Sequence, residues 1–223
     1  MLSGAVAGSG VIGVLDLQGG VQEHLDHLRR IGVTARPVKR AAELAGLAGL
    51  IIPGGESTCL SRLLAIFGLD QAIRQAHDDG LKLWGTCAGA ILLARENVGE
   101  APCLGLMDIA INRNAFGSQL DSFQTEALAP AVAREPIPLT FIRAPKIVRT
   151  GDGVRVLLSM TDYIAAAEDE QILVTVFHPE LTPSLAFHRY FARKCGLRVA
   201  GGDDAGVDPG WTPHSWMDFS YHV

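Results

Sequence analysis

The sequence predicts an α/β protein, a three-layer sandwich with a mostly parallel central sheet and additional antiparallel strands. Three observations carry this. Short continuous apolar runs alternate with helix-period segments up to about residue 100, as in a parallel sheet covered on both faces. Beyond that point the texture becomes strand-rich. With 223 residues, 48% of them apolar, the chain can bury one sizeable core.

The elements follow in order. Val11 to Leu17 reads as a buried first strand, and Gln18-Gly19-Gly20 as a turn. Val21, Leu25 and Leu28 recur at helical spacing up to Gly32, a suitable stop. Val33–Val38 and Leu50–Ile52 are strands, the second ended by Pro53-Gly54-Gly55. Ser57 opens a helix toward Phe67, Gly68 breaks it, and Leu69–Asp79 is another. Leu81–Trp84 reads as a buried strand and Ala88–Glu96 as a helix. Leu104–Ile111, Leu120–Leu128, Leu139–Ile142, Val154–Leu158, Ile164–Ala167 and Ile172–Phe177 are strand-like. They read as partly antiparallel additions to the sheet or as a small side sheet. Pro183–Cys195 closes with a helix carrying Phe187, Tyr190 and Phe191 on one face. Residues 1–10 read as a flexible leader, 11–200 as one domain and 201–223 as a tail. Trp211, Trp216, Phe219 and Tyr221 give that tail aromatic docking potential.

Composition excludes some classes of function. A net charge of −5 offers no general attraction to nucleic acid or anionic membrane. The apolar runs are too short to span a bilayer, and the N-terminus lacks a basic n-region. Cys59, Cys87, Cys103 and Cys195 show no C-x-x-C spacing, so reduced thiols in the cytoplasm are expected.

Gly85-Thr86-Cys87-Ala88-Gly89 sits between a strand and a helix. Such a turn lifts one reactive side chain to the top of a sheet. The glycines allow the tight turn and leave room for a substrate, and the following helix N-terminus favours a thiolate. A lone cysteine is more often a small buried residue; its place in G-x-C-x-G makes Cys87 a candidate nucleophile.

A cysteine nucleophile needs a base. His178 ends a strand and lies in His178-Pro179-Glu180. In extended backbone, which Pro179 favours, residues two apart point to one side. Glu180 would then orient His178, completing a nucleophile–base–orienter set. Alone, this tripeptide is also an ordinary strand end. Pro53-Gly54-Gly55-Glu56-Ser57-Thr58 follows another strand, at the end where ligands of open α/β sheets bind. Its glycine N–H groups suit an oxyanion hole, and Ser57 suits a helix cap. Arg113 and Arg143 lie in aromatic, turn-rich stretches. Each reads equally as a substrate-carboxylate partner or as a surface arginine.

Two patterns are set aside. Gly8-Ser9-Gly10-Val11-Ile12-Gly13 matches G-x-G-x-x-G, but no strand precedes it and no helix follows. His24 and His27, beside Glu23 and Asp26, are expected on the solvated face of their helix rather than as metal ligands.

Elbow cysteine, Gly-Gly loop and His-x-Glu together resemble the class I glutamine amidotransferases. Within them, several blocks are similar to the glutaminase subunits of pyridoxal 5'-phosphate synthase, the PdxT family. These blocks are Leu17-Gln18-Gly19, Pro53–Thr58, Gly85–Gly89, Arg113-Asn114-Ala115-Phe116-Gly117-Ser118-Gln119, Asp121-Ser122-Phe123, Phe141-Ile142-Arg143-Ala144-Pro145 and Phe177–Thr182. The resemblance covers roughly residues 11 to 195, and the chain departs from the pattern at Asp16, Cys59 and the tail.

The resemblance implies a Rossmann-like sandwich that hydrolyses L-glutamine to glutamate and ammonia through a γ-glutamyl thioester. Cys87, His178 and Glu180 would form the triad. Gly55, Glu56, Ser57, Arg113, Ile142 and Arg143 would bind glutamine, and Gln18, Gly54, Gly55 and Ala88 would belong to the oxyanion region. Ammonia would pass to a separate synthase subunit of the PdxS type, in a hetero-oligomer that makes pyridoxal 5'-phosphate. No cofactor or metal is implied. A cysteine hydrolase of protease type, or a non-catalytic binding module on the same fold, are the other readings; glutamine turnover against peptidase activity separates them.

Overall fold

The computed structural model describes residues 10–113 and 122–200. The leader up to residue 9, the block from Asn114 to Asp121 and the tail from residue 201 lie outside the described residues, so the docking expected of the tail does too.

The first half alternates strand and helix. It runs β1 (Val11–Leu15), α1 (Val21–Arg30), β2 (Ala35–Val38), a 3-10 turn (Ala41–Leu44), β3 (Leu47–Ile52), α2 (Ser57–Ile66), α3 (Leu69–Asp78), β4 (Lys82–Thr86) and α4 (Ala88–Leu93). The second half is mostly strand: β5 (Ala94–Asn97), β6 (Met107–Asn112), β7 (Phe123–Ala127), β8 (Ile137–Phe141), β9 (Lys146–Thr150), β10 (Arg155–Ser159), β11 (Ile164–Glu168) and β12 (Ile172–Thr175). A second 3-10 turn (Pro179–Leu181) and α5 (Ala186–Lys194) follow.

Among the described residues, the main sheet has ten strands in the order β2-β1-β3-β4-β12-β11-β9-β6-β5, with β10 also pairing β11. The run from β2 to β12 is parallel. From β12 onward the pairings are antiparallel, except that β5 lies parallel to β6. β7 and β8 form a separate antiparallel pair. The late strands therefore serve as both sheet extension and side sheet.

Adjacent strand residues point to opposite faces, which defines the two helical layers. Trp84 packs against the rings of His24 on α1 and of Phe187, His188 and Phe191 on α5. A Cβ on the next residue, Gly85, would instead strike the backbone of Gly89 and Ala90 on α4. α1 packs on α5, and α2 packs on α3 and α4. Leu50, Ile51 and Ile52 of β3 and all of β12 are buried, as strands covered on both sides must be. β3, β4 and β12 lie side by side and parallel, so their carboxyl ends place the Gly-Gly loop, Cys87 and His178 together.

Several local expectations change. The helix expected over Ala88–Glu96 ends at Leu93, because Ala94 turns extended (ψ 137°) and pairs Met107 of β6. Sheet pairing there overrides helical propensity. β9 was not anticipated: Lys146-Ile147-Val148-Arg149-Thr150 has one fully buried apolar residue, Ile147, too little pattern to read. His24 and His27 do not lie on a solvated face. Both are buried, at 0% and 4% exposure, because α5 and the Pro179–Leu181 turn close over that side of α1.

Candidate active site

Cys87 occupies the turn between β4 and α4 with φ 48° and ψ −104°, a backbone region that disfavours a residue with a Cβ. Such a conformation costs on the order of 1–3 kcal/mol and persists where the surroundings impose it. Here the Cys87 N–H donates to the Thr175 carbonyl of β12 (2.8 Å), and the Cys87 carbonyl accepts from Ala90. The flanking glycines act differently from expectation. Neither has a positive φ. A Cβ on Gly85 would sit 2.5 Å from the Gly89 backbone, and one on Gly89 would sit 2.0 Å from the Ile52 carbonyl oxygen. Both glycines are required by close backbone packing of α4 onto β3 and β4.

His178 follows β12, and its N–H donates to the Thr140 carbonyl (2.8 Å). The expected extended His-Pro-Glu is instead the entry to the Pro179–Leu181 turn. Proline suits the first position of such a turn, and the turn brings Glu180 back beneath the imidazole. His178 Nδ1 donates to Glu180 Oε1 at 2.8 Å, with both side chains largely buried. This leaves Nε2 for Cys87, which lines the same pocket as His178. Burial pushes the His178 pKa down, but the charges of Cys87 and Glu180 and their hydrogen bonds outweigh it and hold it well above the usual value. Burial pushes Glu180 up; His24 and His178 outweigh that and bring it to about 2.

A pocket of about 310 Å³ opens over these groups, lined by Gly55, Glu56, Ser57, Cys87, Ala88, Ile91, Arg113, Ile142, Arg143 and His178. Gln18 and Gly54 stand behind this lining. Gln18 Oε1 accepts from the Glu56 N–H (3.2 Å), tying the first loop to the Gly-Gly loop. Gly54 packs so closely that an added Cβ would lie 2.4 Å from His178 Cε1. Gly19 (φ 98°) lets the first loop run against the Gly54 carbonyl. Ile91 joins the lining without having been singled out from sequence, since an apolar residue on a buried helix carries no chemical signal.

The two arginines differ. Arg113 donates to both Glu100 oxygens, Thr58 Oγ1 and Glu56 Oε1, so its charge is largely matched. Arg143 is exposed at the pocket edge with φ 45°. Glu56 rather than Ser57 caps α2, its carboxylate accepting from the Thr58 and Cys59 N–H groups, which lowers its pKa. Ser57 is buried as the first residue of the helix. Among the described residues no cluster of His, Cys, Asp or Glu is arranged to hold a metal ion, and no helix is long and apolar enough to cross a membrane.

A cysteine on a strained turn, a histidine paired with a carboxylate and a pocket above them have the arrangement that acyl transfer from a small amide requires. The comparisons with known proteins agree with that class. The profile of the SNO glutamine amidotransferase family matches residues 14–197. The chain is 58% identical over 213 residues to the pyridoxal 5'-phosphate synthase subunit PdxT of Syntrophus aciditrophicus (strain SB), covering 95% of each chain. It is 48% identical over 184 residues to the PdxT of Caldanaerobacter subterraneus subsp. tengcongensis, covering 82% of this chain and 97% of that one. A crystal structure of a glutamine amidotransferase superposes with a TM-score of 0.79 at 42% identity, over 84% of this chain and all of that one. A GMP synthase subunit from Thermoplasma acidophilum shares the fold, with a TM-score of 0.60 at 20% identity over 83% of this chain and 94% of that one. The chain belongs to the SNO glutamine amidotransferase family.

Proposed function

We propose that this chain hydrolyses L-glutamine to glutamate and ammonia, and that it hands the ammonia to a separate synthase subunit that builds pyridoxal 5'-phosphate. The observation that carries the chemistry is the 2.8 Å His178–Glu180 pair beside Cys87 on the pocket floor. The relatives that carry the synthase-subunit name support the product and the partner. A reduced, cytoplasmic setting would keep all four free thiols intact.

In this reading Cys87 attacks as the thiolate, its sulfur bonding to the side-chain amide carbon of glutamine. The charge that develops on the amide oxygen is met by backbone N–H groups of the Gly54-Gly55 loop and Ala88. His178 carries its proton at neutral pH, since its pKa is raised. From Nε2 it protonates the departing nitrogen as the C–N bond breaks, leaving a γ-glutamyl thioester. The now neutral imidazole takes a proton from water, which attacks the thioester carbon; the C–S bond breaks and glutamate leaves. Glu180 stays ionised throughout and fixes the imidazole through Nδ1. Ser57, Glu56, Ile142 and the two arginines form the walls that hold the amino-acid end of the substrate.

The test is glutamate release by the purified chain, alone and with an excess of a synthase subunit, against a panel of peptide substrates. The reading expects glutamine turnover, raised by the synthase, and no peptide cleavage. Peptidase activity without glutamine turnover would overturn it.

A further inference from the structure

Glu180 has two carboxylate oxygens and only one is used by the triad. Oε1 receives His178; Oε2 is buried without a hydrogen bond. Facing Oε2 is His24 Nε2 on α1, at 3.5 Å. The same nitrogen lies 3.5 Å from Thr86 Oγ1, the residue before Cys87. The other ring nitrogen, Nδ1, is 2.8 Å from His188 Nε2 on α5. His24 and His188 are both 0% exposed.

The protons in this chain can be assigned by satisfying donors and acceptors. If His24 carries its proton on Nδ1, the Nε2 lone pair accepts from the Thr86 hydroxyl but faces the lone pairs of a carboxylate oxygen, acceptor against acceptor. His188 must then accept at Nε2 and bury an unpaired Nδ1–H, because its Nδ1 has no partner. If His24 carries it on Nε2, that N–H points at Glu180 and Thr86. His188 donates from Nε2 to His24 Nδ1, and its unpartnered Nδ1 is only a bare acceptor. A buried orphan donor is the worse outcome. The second arrangement gives every ring N–H of the pair an acceptor, and the Thr86 hydroxyl oxygen can accept alongside Glu180.

We infer that His24 is a positioning residue for the catalytic carboxylate, extending the triad inward as Cys87–His178–Glu180–His24–His188. The inference rests on the triad reading given above. His24 turns its Nε2–H to the free oxygen of Glu180 and holds the carboxylate in the plane that its Oε1 needs to orient His178. At 3.5 Å the contact is long, and such contacts tighten when substrate closes the site. His188 fixes the His24 ring, and is itself wedged between the rings of His27 (4.5 Å) and Trp84 (4.9 Å). The charged and titratable groups facing His24 are Glu180 from the 3-10 turn, His178 before it, His188 from α5, and His27 from α1. Burial keeps His24 neutral down to about pH 4, so above that it helps Glu180 as a hydrogen-bond donor rather than as a full charge.

Two measurements on the full chain test this. The first needs no substitution: ¹⁵N NMR of the imidazoles at pH 7.5 is expected to show His24 as the Nε2–H tautomer. A Nδ1–H tautomer would overturn the proposal. The second is the kcat and KM of glutamine turnover, with a synthase subunit in excess. His24→Leu is expected to lower kcat by roughly 10- to 100-fold, the usual scale for a partner that orients a functional side chain, with KM little changed. His24→Gln, whose amide N–H reaches near the Nε2 position, should recover most of the rate, and His24→Asn, which mimics Nδ1, should not. A folded His24→Leu with the wild-type kcat would overturn the proposal, and should the variant not fold, the tautomer decides. His178→Asn run alongside separates the two readings. Full activity there would sink the triad, whereas an inactive His178→Asn beside a fully active His24→Leu would sink only the role of His24.

Discussion

Acidification from pH 6.5 to 4.5 should destabilise this protein through its buried histidines, before its paired carboxylates titrate. His24 takes a proton at 6.5 when unfolded but only at about 4 when folded, because burial penalises the imidazolium. Its folded pKa is depressed, so the stability linked to it is complete above pH 6.5 and is lost as pH falls toward 4. Each pH unit within that window costs about 1.4 kcal/mol. Across the window His24 alone therefore removes roughly 2–3 kcal/mol, out of about 5–15 kcal/mol typical of a domain. His27 and His188 are lowered by the same cause and add to the loss. His178 does not: its pKa is raised, so its contribution is complete below 6.5 and fades only as pH rises. Glu180, at about 2 when folded, loses its contribution only below about 4.5. Glu23 opposes the histidines, since burial raises its pKa and the folded chain gains from protonating it. Urea unfolding at half-unit pH steps measures the sum. The expected outcome is a midpoint that falls steadily below pH 6.5 at constant m-value. A midpoint that stays flat from 6.5 to 4.5 would refute the reasoning, and would mean that the histidines are hydrated or already paired as cations.

Other expectations follow from close contacts and from the division of roles in the site. Gly89→Ala would drive a Cβ to 2.0 Å from the Ile52 carbonyl oxygen, backbone against backbone. It should cost about 3 kcal/mol or more, the upper end for overpacking, read as a lowered urea midpoint. Gly54→Ala would instead press on His178 Cε1 at 2.4 Å, a ring held by Glu180. It should cost about 1–2 kcal/mol, less than Gly89→Ala, and lower kcat by about 10²-fold, as displaced catalytic groups do. His178→Asn should be about as damaging as loss of Cys87, and Glu180→Gln milder. The double variant lacking both Cys87 and His178 should be little worse than either single one, because members of one catalytic unit do not add; losses that multiply would argue against a shared triad.

What was legible in the sequence was local. Leu81 to Ala90 shows a strand, a glycine-flanked turn and a helix within ten residues, so the position of Cys87 at a strand end could be read directly. The Gly-Gly loop and His178 were legible for the same reason, each ending an apolar run. That β3, β4 and β12 lie side by side was not, since strand order is a long-range property; Thr175 pairs Thr86 across 89 positions of sequence. β5 was hidden because Ala94-Arg95-Glu96-Asn97 has no strand pattern of its own and is extended only by pairing β6. The two histidines of α1 were misread for a related reason. A helix beside Glu23 and Asp26 looks polar on that side, and nothing local announces that α5 covers it. His188, the partner of His24, lies 164 residues away. The role of Gly85 and Gly89 was also out of reach, since their neighbours belong to other elements.

The central claim is that Cys87 is the nucleophile of a glutamine-hydrolysing site. Its most direct test is labelling of the native chain with an electrophilic glutamine analogue, with glutamine as competitor, followed by peptide mapping by mass spectrometry. The account expects a single adduct on Cys87, suppressed by glutamine, absent from His178→Asn and accompanied by complete loss of glutamate release; Cys59, Cys103 and Cys195 stay unmodified. Equal labelling of all four cysteines, or undiminished glutamine turnover by a fully labelled or Cys87→Ala chain, would contradict it.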